Sequence, residues 1–174
     1  MKTLVVYKSK TGFTKKYAEI IAKEVQCDMI ELKKATAAKM AEYDTVVFGS
    51  RLFAGNVDDL KKAKEMFAAS SAKELVVFAT GATPNAAEDI VNDVWENNFT
   101  PEELEVIPHF YMQSGICYEK MPFMEKMMMK MAARMMKNQK EKTEMGQGFE
   151  EALKGSFDIS GEEYVKPLVE YLKK

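Results

Sequence analysis

The stretch that decides the fold is Thr3-Leu4-Val5-Val6-Tyr7, followed by Lys8 and then Ser9-Lys10-Thr11-Gly12-Phe13-Thr14. The first five residues are apolar and β-branched-rich, which suits a buried strand. Beyond the loop, Tyr17, Ala18, Ile20, Ile21 and Val25 recur at helical spacing among lysines and glutamates. This is strand, hydroxyl-rich turn, helix. A phosphate placed at such a turn can accept backbone N–H bonds from the loop and the helix N-terminus, with the hydroxyls of Ser9, Thr11 and Thr14 as further donors. Gly12 lets the backbone approach closely. The bland alternative is an ordinary turn in which Thr11 or Thr14 caps the helix.

The same alternation continues along the chain. Met29 to Leu32 fits a short second strand, and Thr45-Val46-Val47-Phe48 a stronger third one ending at Gly49. Asp58 to Ala69 has helical periodicity, Leu75-Val76-Val77-Phe78-Ala79 is a fourth strand, and Pro84 suits the first turn of a helix through Ile90, Val91, Val94 and Trp95. Leu104-Glu105-Val106-Ile107 reads as a fifth strand and residues 162 to 173 as a last helix. Strands separated by helices, with no internal repeat, predict a doubly wound α/β domain, a five-stranded parallel sheet covered on both faces. Ligands bind such sheets outside the carboxyl ends of the strands. The segments after Tyr7, Phe48 and Ala79 are therefore the candidate site.

Composition narrows the function classes. The 174 residues are the length of one domain, and 47% hydrophobic and 30% charged residues with 9 Gly and 5 Pro describe a chain that folds around a core. A net charge of −2 and a sequence pI near 5.7 argue against a general nucleic-acid binder. Two cysteines, Cys27 and Cys117, make no disulfide framework and no zinc motif, so a reducing, cytoplasmic setting is expected and no metal site. They read as ordinary thiols. The chain enters its first strand directly after Met1 and Lys2 and has no apolar run of about 18 residues, the length of a membrane span. A soluble or peripheral protein is the expectation.

Other phosphate motifs are absent. There is neither the G-x-x-x-x-G-K-S/T of a Walker A loop nor a three-glycine dinucleotide fingerprint, and no G-x-S-x-G nucleophile elbow. The single histidine, His109, follows Pro108 at the end of the expected fifth strand. It is read either as a structural histidine or as a proton donor near a cofactor, and no catalytic residue is assigned.

The turn Ser9-Lys10-Thr11-Gly12-Phe13-Thr14 resembles the S/T-x-T-G-x-T loop that holds the FMN phosphate in the flavodoxin family. After the third strand, Gly49-Ser50-Arg51-Leu52-Phe53-Ala54-Gly55-Asn56 resembles the family's loop beside the isoalloxazine ring. After the fourth strand, Thr80-Gly81-Ala82-Thr83 resembles the loop that closes the other side. The resemblance implies strand order 2-1-3-4-5, FMN as cofactor, and electron transfer as the activity. Flavodoxins commonly sandwich the ring between aromatic residues, whereas only Phe53 stands in these segments, so stacking would be one-sided or Phe53 a core residue. Lys8, Lys10 and Arg51 cluster in or beside them, and cations near the ring would raise its potential.

The remaining feature is methionine. Of 14 in the chain, eight lie between Met121 and Met136, inside about 50 residues separating the fifth strand from the last helix, more than a connection needs. Residues 112–160 are read as an insertion in the single domain. On a helical wheel Met124, Met127, Met128, Met131 and Met135 fall on one face, and Lys126, Lys130, Arg134 and Lys137 on another. Either the methionines pack on the domain or a second subunit, or they form an apolar surface for a hydrophobic substrate, a partner or an anionic membrane. The segment Tyr118 to Met131 also resembles the insertion of the flavodoxin-like, menaquinone-dependent protoporphyrinogen dehydrogenases. That resemblance implies the alternative function, an FMN-dependent oxidoreductase acting on a porphyrinogen or quinone. In it Lys126, Lys130 and Arg134 would meet propionates or lipid headgroups.

Overall fold

The computed structural model describes residues 2–137 and 155–174. The long strands are β1 (Thr3–Tyr7), β2 (Asp28–Glu31), β3 (Thr45–Phe53), β5 (Glu74–Gly81) and β6 (His109–Gln113), all parallel in the order β2-β1-β3-β5-β6; β4 (Asn56–Val57) pairs antiparallel with β3 as a sixth strand. Among the five parallel strands this is the expected 2-1-3-4-5. Register runs Val5 to Val47 to Val76 across the centre of the sheet.

Alternate side chains of each strand serve opposite faces. Leu4, Val6, Val46, Phe48, Leu75 and Val77 pack under α3 (Leu60–Ala68) and α4 (Glu88–Asn98), meeting Leu60, Ala63 and Trp95. Val5, Val47, Val76 and Phe78 face α1 (Phe13–Val25) and α7 (Lys166–Leu172), meeting Tyr17, Ile21, Leu168 and Val169. Burial of both faces explains the unbroken apolar runs, each fully buried Val or Leu adding roughly 1.5–3 kcal/mol. The short α2 (Ala37–Met40) closes the connection from β2 to β3 and buries Met40.

The fifth parallel strand lies elsewhere than expected. Leu104 to Ile107 belongs mostly to helix α5 (Pro101–Val106), because Thr100 caps it in a full capping box with Glu103 and Pro101 opens its first turn. Three local helix-start signals outweigh a four-residue β-like string, and Val106 ends 73% exposed. The strand is His109–Gln113 instead, with Met112 fully buried against the core. Met112 and Gln113, assigned to the insertion from sequence, thus complete the sheet. Pro84 likewise precedes its helix, which begins at Glu88, and the last helix starts as a 3-10 turn, Glu162–Val165.

Beyond β6 the chain forms β7 (Gly115–Ile116), which pairs antiparallel with β8 (Phe157–Asp158). Between them in the chain lies α6 (Phe123–Lys137), the methionine-rich helix; residues 138–154 are outside the described residues. Among the described residues no helix is long and apolar enough to cross a membrane.

Candidate functional site

The three segments chosen from sequence sit at the carboxyl ends of adjacent strands β1, β3 and β5. Gly12 stands at the N-terminal cap of α1 with a φ of 107°, in the left-handed region, and no side chain caps the helix. Its first N–H groups therefore point outward without a side-chain acceptor. A Cβ added to Gly12 would have nothing within 4 Å, so the space over the turn is open. Ser9 Oγ accepts from Gly12 N at 3.2 Å and shapes the turn, with Thr11 and Phe13 half-buried and Lys10 exposed. Thr14 is buried, and neither Thr14 nor Thr11 caps the helix.

Thr14 ties the first segment to the third. Its Oγ1 lies 2.9 Å from Thr80 Oγ1, and these side chains are only 2% and 1% exposed. Thr80 and Gly81 are the last residues of β5, while Ala82 and Thr83 bend away from the sheet, with Thr83 O accepting from Tyr111 Oη at 2.9 Å. Burial pushes the Tyr111 phenol upward, so it stays a neutral donor. Between the two segments, the fully buried Ser50 Oγ has no hydrogen-bond partner. An orphaned buried hydroxyl in a native fold calls for a missing partner.

The middle segment is a hairpin rather than a loop. β3 runs on through Ser50, Arg51, Leu52 and Phe53, turns at Ala54–Gly55 with φ of 49° and 80°, and returns at Asn56. Two central residues with positive φ make the turn whose twist matches paired strands. Arg51 stacks its guanidinium 5.0 Å over the half-buried Phe53 ring, and Phe53 stands at the carboxyl end of β3 outside the hydrophobic core.

Charge at this end of the sheet is set by a residue the sequence reading left out. Glu125, on the first turns of α6, accepts from Lys10 Nζ at 2.9 Å and from both terminal nitrogens of Arg51 at 2.8 and 2.7 Å. It is only 7% exposed. The Arg51 guanidinium, with help from Lys10, holds its carboxyl down at about 2, against burial, which acts in the opposite direction. Arg51 Nε, also buried, lies 3.5 Å from Asp58 Oδ2, near enough for attraction and too far for a hydrogen bond. Lys8 bridges Asp58 at 2.9 Å and Asp59 at 2.8 Å. The three cations expected to raise a flavin's potential thus face three carboxylates, and the cluster is close to neutral.

A profile of the Flavodoxin domain matches residues 4–143. The chain belongs to the flavodoxin family. Solved structures of similar shape include a flavodoxin from the domain Archaea, 15% identical over 100% of both chains with a TM-score of 0.42. Flavodoxin 1 from Bacillus cereus is 16% identical, covering 80% of this chain and 99% of that one, TM-score 0.43. The Streptococcus pneumonia flavodoxin is 21% identical over 53% and 74%, TM-score 0.42. No curated protein sequence matches the chain.

Membership in the flavodoxin family implies a flavin, typically FMN, and the donor set suits a phosphorylated ligand: open backbone N–H groups, hydroxyls and an unpartnered Ser50. His109 takes no part. It stands at the first residue of β6, the opposite end of the strand from the site, with Nδ1 2.8 Å from Ile107 O and its ring 4.9 Å from Trp95. Cys27 is a passive thiol, pushed up to about 11 by burial and the neighbouring Asp28. No His, Cys, Asp and Glu cluster suited to a metal ion occurs among the described residues.

Proposed function

We propose that this flavodoxin-family protein binds FMN across the carboxyl ends of β1, β3 and β5 and works as an electron carrier. The observation that carries the reading is the Thr14–Thr80 contact, which joins an uncapped helix N-terminus to the carboxyl end of β5, on the far side of β3 from β1. In this reading Ser9, Lys10, Thr11, Gly12, Phe13 and Thr14 hold the phosphate. Ser50 to Asn56 and Thr80 to Thr83 flank the ring, with Ser50 Oγ free to bond the cofactor. Bound FMN supplies one- or two-electron transfer, and the protein's share is to hold, orient and electrostatically tune it. Titrating the purified chain with FMN should quench flavin fluorescence and give a reducible yellow complex. Protein that stays colourless with excess FMN refutes the assignment, and Gly12→Asp should weaken binding at least tenfold by placing a negative charge beside the phosphate.

A second reading, an FMN-dependent oxidoreductase of the protoporphyrinogen dehydrogenase or quinone-reductase type, is favoured by one observation on α6. Phe123, Met124, Met127, Met128 and Met131 are 73%, 66%, 44%, 49% and 59% exposed, while Met129 alone of the described α6 methionines is buried. The ridge faces away from the sheet and runs beside Lys126, Lys130 and Arg134. It suits a hydrophobic anionic substrate, a redox partner, a second subunit or the cytoplasmic face of an anionic membrane. Quinone-dependent porphyrinogen oxidation, lost when Met124, Met127, Met128 and Met131 are changed to Gln, would establish this reading over the carrier.

A further inference from the structure

Glu125 is a buried carboxylate on a helix otherwise rich in methionine and lysine, and its carboxylate oxygens accept from residues of two cofactor segments. Lys10 belongs to the turn before α1 and Arg51 to the end of β3; they lie 115 and 74 residues away in sequence. A carboxylate held by a bidentate guanidinium and an ammonium is among the strongest of side-chain contacts. The neighbouring turn of α6 adds the buried Met129, while the ridge from Phe123 to Met131 is turned outward. One residue therefore does two things at once: it fastens the helix to both segments, and it cancels positive charge there.

We infer that Glu125 is a positioning residue that latches α6 onto the phosphate turn and the β3 hairpin, so that the helix is fixed at the rim of these segments with its apolar ridge outward and the local charge balanced. This rests on the FMN reading for its electrostatic consequence and on geometry alone for the latch. Without the carboxylate, Lys10 loses its carboxylate partner and Arg51 keeps only Asp58, 3.5 Å from its Nε, and the positive charge gained there favours the electron-rich reduced cofactor. A latch made of charge-assisted bonds also depends on the carboxylate itself, so a shorter acid should serve where an amide does not.

The test uses the full chain as Glu125→Gln and Glu125→Asp. In protein without FMN, backbone hydrogen exchange across 123–131 should accelerate at least tenfold in Glu125→Gln, while exchange in β1 stays unchanged. In FMN-loaded protein the same variant should bind the reduced cofactor about tenfold more tightly relative to the oxidised one, about 59 mV upward for a one-electron step. Glu125→Asp should return the potential to within twofold in those terms and restore most of the protection. Exchange in 123–131 within twofold of the unaltered chain overturns the latch, and loosening of β1 together with α6 overturns a positioning role in favour of a general structural one. An unchanged potential with loosened α6 overturns the charge-balancing half. If the unaltered chain takes up no FMN, the cofactor reading fails, while the exchange measurement still decides the latch.

Discussion

Replacing Thr14 by Val tests the site and its architecture together. The Thr14 and Thr80 hydroxyls sit 2.9 Å apart, with side chains 2% and 1% exposed, so neither finds water when the other is removed. Either single change, Thr14→Val or Thr80→Val, should cost about 1–3 kcal/mol of folding stability, the desolvation penalty of the hydroxyl left behind. The double change removes both polar groups and should cost clearly less than the sum, since an apolar pair of the same shape leaves nothing unsatisfied. Urea unfolding at constant m-value measures this cycle. The FMN arm behaves differently. If Thr14 also donates to the phosphate, a hydrogen bond to a charged group worth about 1.5–3 kcal/mol is lost, a weakening of roughly 10- to 150-fold. The double variant regains stability and does not regain affinity. Strictly additive stability losses would refute the buried contact, and FMN affinity within threefold of the unaltered chain in Thr14→Val would refute the phosphate role.

Two further outcomes follow from the same geometry. Gly49 pairs across the sheet with Phe78, and an added Cβ would stand 1.9 Å from the Phe78 ring, which is fully buried; Gly49→Ala should cost roughly 1–3 kcal/mol by overpacking, seen as a lower urea midpoint. Glu125 titrates near 2 in the folded chain against an ordinary 4.5, and a depressed carboxylate contributes stability that is present above its unfolded value and lost as pH falls through the folded one. Hydrogen exchange in α6 should therefore rise as pH drops from about 4.5 toward 2, after correction for intrinsic exchange, and Glu125→Gln should lack that pH-dependent part.

Much of the molecule was legible because its signals are local. Thr3 to Tyr7 and Leu75 to Ala79 advertise strands buried on both faces, and Ser9 to Thr14 carries its hydroxyls and glycine within one turn of chain, where composition and conformation act on the same few residues. The face holding Met124, Met127, Met128 and Met131 likewise follows from a 100° rotation per residue, and the helix bears it. At Leu104 to Ile107 two local signals conflict: a β-like string follows directly on the Thr100–Pro101–Glu103 helix start, and the helix start prevails.

What the sequence determined by itself was the alternating strand–helix order, the hydroxyl-rich turn after β1, and the amphipathic methionine helix, since each rests on spacings within a dozen residues. Only the tertiary structure decided which face of that helix meets the sheet, that Thr14 reaches Thr80 66 residues away, and that Glu125 claims Lys10 and Arg51. A lone glutamate among lysines has no periodicity to betray a partner in another segment. Its role exists only once chain folding closes loops of 74 and 115 residues and burial makes the pairing of those charges obligatory.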